Sequence, residues 1–201
     1  MQISDNGNYE NQSFADMDLS GLSVKGAHFG ACDFRGANLR ELNTSHCVFS
    51  KCDFSHSHLN AGDHANSAFI NCLFNKSNLF CSQFSQCKMT GSQFKEALLD
   101  GVVITGGDWS FAILRHANMK GFNLRGVLLR EADLYGANLQ EADLAGADMA
   151  RAVLAKAQLY KANLRGANID GIDFKGIDLK EVRLDVMQAV VIVHSLGGRI
   201  G

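Results

Sequence analysis

The chain has 201 residues, with 19 Lys and Arg against 21 Asp and Glu, 20 glycines, six cysteines and no proline. That length points to one domain, and a net charge of −2 with dispersed basic residues disfavours direct nucleic-acid binding. No apolar run approaches membrane-span length and the polar N-terminus lacks a signal-peptide core, so the expectation is a cytoplasmic protein without a membrane segment.

Residues 1–8 are polar and are expected to fray. From Tyr9 to Leu184 every fifth residue is apolar in one unbroken frame, with Thr44 and His64 the two exceptions. A period of five fits neither a helix nor a flat strand, so the chain must bend once per repeat to keep these residues on one side. A second ladder, two residues before each centre from Gln12 to Val182, is mostly Ala, Cys, Ser, Gly or Val. One large and one small inward residue per repeat describes a narrow, filled coil. Stepping by twenty stacks like on like: Phe14, Phe34, Phe54, Phe74 and Phe94, or Leu19, Leu39, Leu59, Leu79 and Leu99. Each coil therefore has four five-residue sides. The frame makes about nine coils, stacked ~4.8 Å apart and each touching only its neighbours.

Thr44 and His64 occupy equivalent places in adjacent coils and are expected to bond to each other or to backbone. Cys32, Cys47, Cys52, Cys72 and Cys87 fall on the small ladder and read as compact buried thiols, whereas Cys81 faces outward. His46, His56 and His58 lack cysteine or carboxylate partners at ligand spacing and make a weak metal set; no cofactor is expected. Trp109 and Phe122 lie on inward ladders and read as core. Ile70, Phe80, Phe111, Tyr135 and Tyr160 fall in outward registers and would form a contact patch only if clustered.

Outward carboxylates precede many centres, among them Asp33, Asp53, Asp133, Asp143, Asp148 and Asp173. Two readings of them stand: a charged column facing a basic partner, or local turn acceptors for nearby backbone. Residues 1–100 carry seven basic and ten acidic side chains, and residues 101–201 carry twelve and eleven, so any acidic face depends on distribution rather than on total charge. After Leu184 the frame stops. Val186, Ala189, Val190 and Val193 follow helical spacing, with Met187 adding apolar surface, Asp185 as N-cap and Gly197-Gly198 as the stop. This 185–201 segment is expected to lid the last coil of the 9–184 solenoid and, through Val186, Met187, Ala189, Val190 and Val193, to pair two copies.

The two-ladder repeat, clearest in Ala137-Asn138-Leu139-Gln140-Glu141 and Ala142-Asp143-Leu144-Ala145-Gly146, resembles the pentapeptide-repeat superfamily. That resemblance implies an all-β, right-handed quadrilateral β-helix. Segments such as Ser67–Phe74, Gln86–Phe94 and Asp185–Val190 are similar to the MfpA and Qnr quinolone-resistance type, whose loop-free MfpA form suits the unbroken frame. The resemblance implies a homodimeric, DNA-mimicking partner of DNA gyrase or another type II topoisomerase that protects it from quinolones. The alternative is a structural scaffold for a different protein partner. No P-loop, nucleotide-binding glycine motif, nucleophile elbow or zinc-protease motif is present, so no enzyme activity is expected.

Overall fold

The computed structural model describes residues 3–199 and forms a β-solenoid closed by one helix. Nine three-residue strands run in chain order: β1 (Asn8–Glu10), β2 (Ser23–Lys25), β3 (His28–Gly30), β4 (Asn43–Ser45), β5 (Val48–Ser50), β6 (Asp63–Ala65), β7 (Ala68–Ile70), β8 (Gln83–Ser85) and β9 (Val103–Thr105). They pair in parallel as β1-β3-β5-β7 and β2-β4-β6-β8-β9, and every pair is in register at twenty residues, as in Tyr9 with Phe29. Single bridges supply two further ladders at the same offset, Ser13 with Asp33 and Asp18 with Asn38, so one turn has four faces. We name these faces first to fourth by their opening centres Tyr9, Phe14, Leu19 and Val24. Regular strand accounts for about five turns, fewer than the nine counted from the frame. Later turns are held by single bridges in the same register, the last joining Asn163 to Arg183.

Bending once per repeat is done by the backbone. Every fifth residue from Asn6 to Glu181 has positive φ, between +48° and +60° wherever it is not glycine. Left-handed geometry is strained for residues with a Cβ. Glycine therefore recurs at this corner, as at Gly36 and Gly126. Inside, the centres stack face to face along the rod. Phe14, Phe34, Phe54 and Phe74 have ring centroids 4.8–5.0 Å apart and planes within 8°. Phe29, Phe49 and Phe69 form a neighbouring stack at 4.6–4.7 Å, which meets the first edge-on. Both arrangements suit the ring quadrupole, and the stacked rings from Phe14 to Phe94 are buried.

The small ladder packs beneath these rings and satisfies inward carbonyls. The Cys32, Cys52 and Cys72 thiols donate to the carbonyls of Tyr9, Phe29 and Phe49 at 3.3–3.4 Å, and the Ser92 hydroxyl makes the equivalent bond to Phe69 at 2.7 Å. All five ladder cysteines are buried, with Cys32 and Cys87 each pushed up to about 11 by desolvation, while Cys81 is exposed. No three His, Cys, Asp or Glu among the described residues could hold a metal ion.

The expected fraying does not extend to residues 3–8. Ile3 is buried, the Asn6 amide donates to the Lys25 carbonyl and the Asp5 carboxylate accepts the Lys25 amide, so this segment continues the stack; Met1 and Gln2 lie outside the described residues. At the other end α1 (Val186–Ser195) follows the last coil. The Asp185 carboxylate accepts the Met187 and Gln188 amides, and the Gln188 side chain accepts the Asp185 amide, a reciprocal cap. Gly197, at φ +83°, ends the helix, with the Gly198 amide returning to the Val193 carbonyl. No helix among the described residues is long and apolar enough to cross a membrane.

Candidate interaction surface

Most Asp residues before a centre are held by their own turns. Oδ1 of Asp33, Asp53, Asp133, Asp143, Asp148 and Asp173 accepts the amide two residues on, at 2.8–3.2 Å. A short carboxylate in this position fixes the backbone leading into the next corner. The turn reading of these residues therefore applies, and it leaves Oδ2 facing outward.

What Oδ2 meets differs between the halves of the rod. Arg115, Arg125 and Arg130 reach Asp133, Asp143 and Asp148 at 3.3, 3.0 and 2.8 Å. Each arginine stands eighteen residues before its partner, one coil down on the same face, and so lies diagonally across from it. Asp33 pairs with Arg35 at 2.6 Å, and Asp53 lies 4.0 Å from the same guanidinium. Hydrogen bonds from Arg35 hold the Asp33 carboxyl below its ordinary value. For Asp143 burial pushes upward, but Arg125 and the Ala145 amide outweigh it and the pKa ends lowered. Glu131 with Arg151 and Glu141 with Lys120 complete the pattern. Five of the six carboxylates are thus one half of an ion pair, with Asp173 alone of the six making none, so a charged column here would consist of paired rather than bare carboxylates. Placing the basic residues in separate registers concealed this, because registers on one face become neighbours in the next coil.

The second candidate surface is α1. Gln188 and Ile192 are buried against the last coil with Val191 packed beside them, and the Gln188 amide group donates to the Ala167 carbonyl at 3.1 Å. Val186 and Met187 are 77% and 70% exposed, Ala189 is exposed, and Val190 and Val193 are half-buried. One face of the helix therefore lids the solenoid and the other turns apolar groups outward.

Thr44 and His64 meet as expected: Thr44 Oγ1 and His64 Nδ1 lie 2.8 Å apart, both residues buried. His64 stacks on Phe84 at 5.0 Å, its Nε2 has no hydrogen-bond partner, and desolvation lowers its pKa to about 3. It is a neutral member of the core column. Phe80 and Phe111 are exposed at 53% and 51%, Ile70, Tyr135 and Tyr160 are half-buried, and Trp109 is buried. Phe80 has an exposed apolar neighbour, Leu98, on the third face one coil on. Arg115 lies 4.5 Å over the Tyr135 ring, so that aromatic serves a charged cluster.

Two stacked inward ladders, corners of positive φ and a twenty-residue parallel register define a four-sided solenoid built from five-residue repeats. The family model for pentapeptide repeats matches residues 32–63, 92–130, 110–144, 132–171 and 157–185. The chain belongs to the pentapeptide-repeat family. Among solved structures, full-length QnrB1, a plasmid-mediated fluoroquinolone resistance protein, superposes with a TM-score of 0.81 at 21% identity, covering 95% of this chain and 100% of that one. A trypsin-treated variant of QnrB1 gives 0.73 at 22% identity, covering 98% and 99%. At that identity the likeness concerns the fold. A comparison with curated protein sequences found no match.

Proposed function

We propose that this chain is a non-enzymatic, DNA-mimicking protein that binds DNA gyrase or a related type II topoisomerase, modulates its activity and protects it from quinolones. The observation that carries the reading is the four-sided solenoid, which aligns over nearly its whole length with a fluoroquinolone resistance protein. A rod bearing carboxylates at coil spacing is suited to a groove shaped for DNA. Two copies would join through the outward face of α1, Val186, Met187, Ala189, Val190 and Val193. The filled solenoid would act through its surface, in the cytoplasm, without cofactor. The contact surface would include Asp33, Asp53, Asp133, Asp143, Asp148 and Asp173, with charge complementarity setting encounter rate and register.

The test is a supercoiling assay with purified bacterial gyrase, titrated with this protein with and without a fluoroquinolone. Inhibition, or relief of drug-stabilised cleavage, is expected, and weakens in the triple variant Asp133→Ala, Asp143→Ala, Asp148→Ala. Replacing Val186 and Met187 by Glu should halve the sedimenting mass with the far-ultraviolet spectrum unchanged. A folded wild-type dimer without effect on gyrase overturns the reading. The exposed Phe80 and Leu98 support one alternative, a scaffold for another protein partner. Contact through those side chains would be nearly indifferent to salt, whereas charge-led binding weakens steeply with ionic strength.

A further inference from the structure

The hydrogen-bond ladder between coils is broken in the middle of the rod. In the regular pattern each centre and each corner amide donates to a carbonyl of the next coil, as Leu79 does to Leu98 and Cys81 to Asp100. The amide before each centre donates back, as Leu98 does to Ser77. Between residues 95–106 and 114–127 none of these bonds forms. The amides of Glu96, Leu99, Gly101, Ile104 and Gly106 on one wall, and of Asn118 and Asn123 on the other, lack their coil partners. The opening spans the third and fourth faces for half a turn. It is closed on the second face by Phe94 to Ile113 at 3.0 Å and on the first by Trp109 to Leu128 at 2.7 Å. One end of it is a cleft of about 630 Å³ lined by Leu98, Leu99, Asp100, Arg115 and Asn118.

The cause lies at the corner between those two faces. The small ladder there reads Leu22, Leu42, Gly62, Ser82, Val102, Phe122, Ala142, Ala162 and Val182, so Phe122 sets the largest side chain of the ladder directly over Val102. It is only half-buried and packs against the core edge. Overpacking of that kind strains a close-packed column and favours separation of its layers. A second opening agrees. No bridge joins Val153 to Asp173 or Gln158 to Asp178, and the small ladder at that corner changes from Ala137 and Ala157 to Ile177.

We infer that Phe122 is a wedge that makes this half turn a flexible joint, about which the two blocks of the rod bend by opening and closing the third and fourth faces. The two intact faces form the hinge line. The unbonded amides cost little to separate further, so motion concentrates there rather than spreading along the solenoid.

Native-state hydrogen exchange tests this on the full chain. The amides of Glu96, Leu99, Gly101, Ile104 and Gly106 should exchange at least roughly tenfold faster than those of Lys76, Leu79 and Cys81, the equivalent of one lost bond each. Phe122→Ala should slow them to match. Bending is read by nitroxide labels on the exposed Cys81 and on Glu141→Cys, which stand on the same corner either side of the opening. Their distance distribution should be broader than that of Cys81 with Glu41→Cys, a pair on one side, and should narrow in Phe122→Ala. Equal protection of both amide sets in the wild-type protein, or equally narrow distributions, removes the joint. A folded Phe122→Ala protein that still exchanges fast removes Phe122 as its cause. Should that variant not fold, Ile177→Ala applies the same exchange test at the second opening.

Discussion

The buried pair Thr44 and His64 makes the folded state sensitive to acid in a way that one double substitution should abolish. His64 is fully enclosed, bonded through Nδ1 to Thr44 and stacked on Phe84, and burial lowers its pKa from 6.5 to about 3. The unfolded chain therefore takes up the proton first. Stability from this group is fully present above the unfolded value and declines as the pH falls from about 6.5 towards 3, by about 1.4 kcal/mol per pH unit. Between pH 7 and pH 5 the loss is about 2 kcal/mol, and it stays close to that for any folded pKa well below 5. In Thr44→Val/His64→Phe both members of the bond leave together, so no orphaned polar group remains, and the new ring continues the column above Phe84. Guanidinium unfolding of both proteins at pH 7 and pH 5 gives the comparison, because carboxylates and exposed histidines contribute equally and cancel. The variant should lose about 2 kcal/mol less than the wild type on acidification. An identical acid loss in the two proteins would show that His64 is not held neutral by the core, and the argument would fail.

Two further outcomes rest on the corners and the small ladder. Gly126 has φ +66° and open space where a Cβ would stand, so Gly126→Ala should cost about 1–2 kcal/mol from backbone strain alone, and Ala31→Gly, at φ +48°, should recover part of such a cost. Thermal unfolding of the two variants measures both; no change in either would mean that the corners carry no strain. Cys72→Ser should stay within about 1 kcal/mol of wild type, since Ser92 makes the same bond to the preceding coil in the same column, whereas Cys72→Leu should overpack the ladder by about 1–3 kcal/mol.

The frame, the four faces and the buried thiols were legible because each rests on a repeat, and a repeated signal corrects its own errors. Thr44 and His64 were legible as a pair since the twenty-residue step placed one above the other. The ion pairs were not. Arg115 and Asp133 occupy different registers, and their meeting depends on the diagonal between neighbouring coils. That diagonal follows from the frame, but only once positions after one centre are set against positions before the next. Phe122 was read correctly as inward, yet its effect was hidden. How a bulky residue packs depends on the residue twenty places away, and Phe122 stands over Val102. The order in residues 3–8 was missed for a related reason. Their polar side chains gave no apolar signal, while their amides and the Asp5 carboxylate bond to the coil beside them.

The paired carboxylates bear on how a basic groove would engage this rod. An arginine beside each of Asp133, Asp143 and Asp148 turns three charges into three dipoles, whose field falls off faster with distance, so steering from afar would be weak. At contact the balance differs. These pairs are exposed, with arginine side chains about half accessible, and an exposed pair is worth about 0.2–1 kcal/mol. Releasing three arginines would therefore cost no more than about 3 kcal/mol, less than a few well-placed charge-assisted bonds return in a groove that excludes water. The arginines also sit on flexible stems, while each carboxylate is anchored by its own turn. A partner's cations would displace the mobile member of the pair and find the acceptor already in place. On this argument Arg115→Gln, Arg125→Gln and Arg130→Gln together should strengthen gyrase binding and steepen its salt dependence. Weaker binding in the folded triple variant would show that the arginines themselves make the contact.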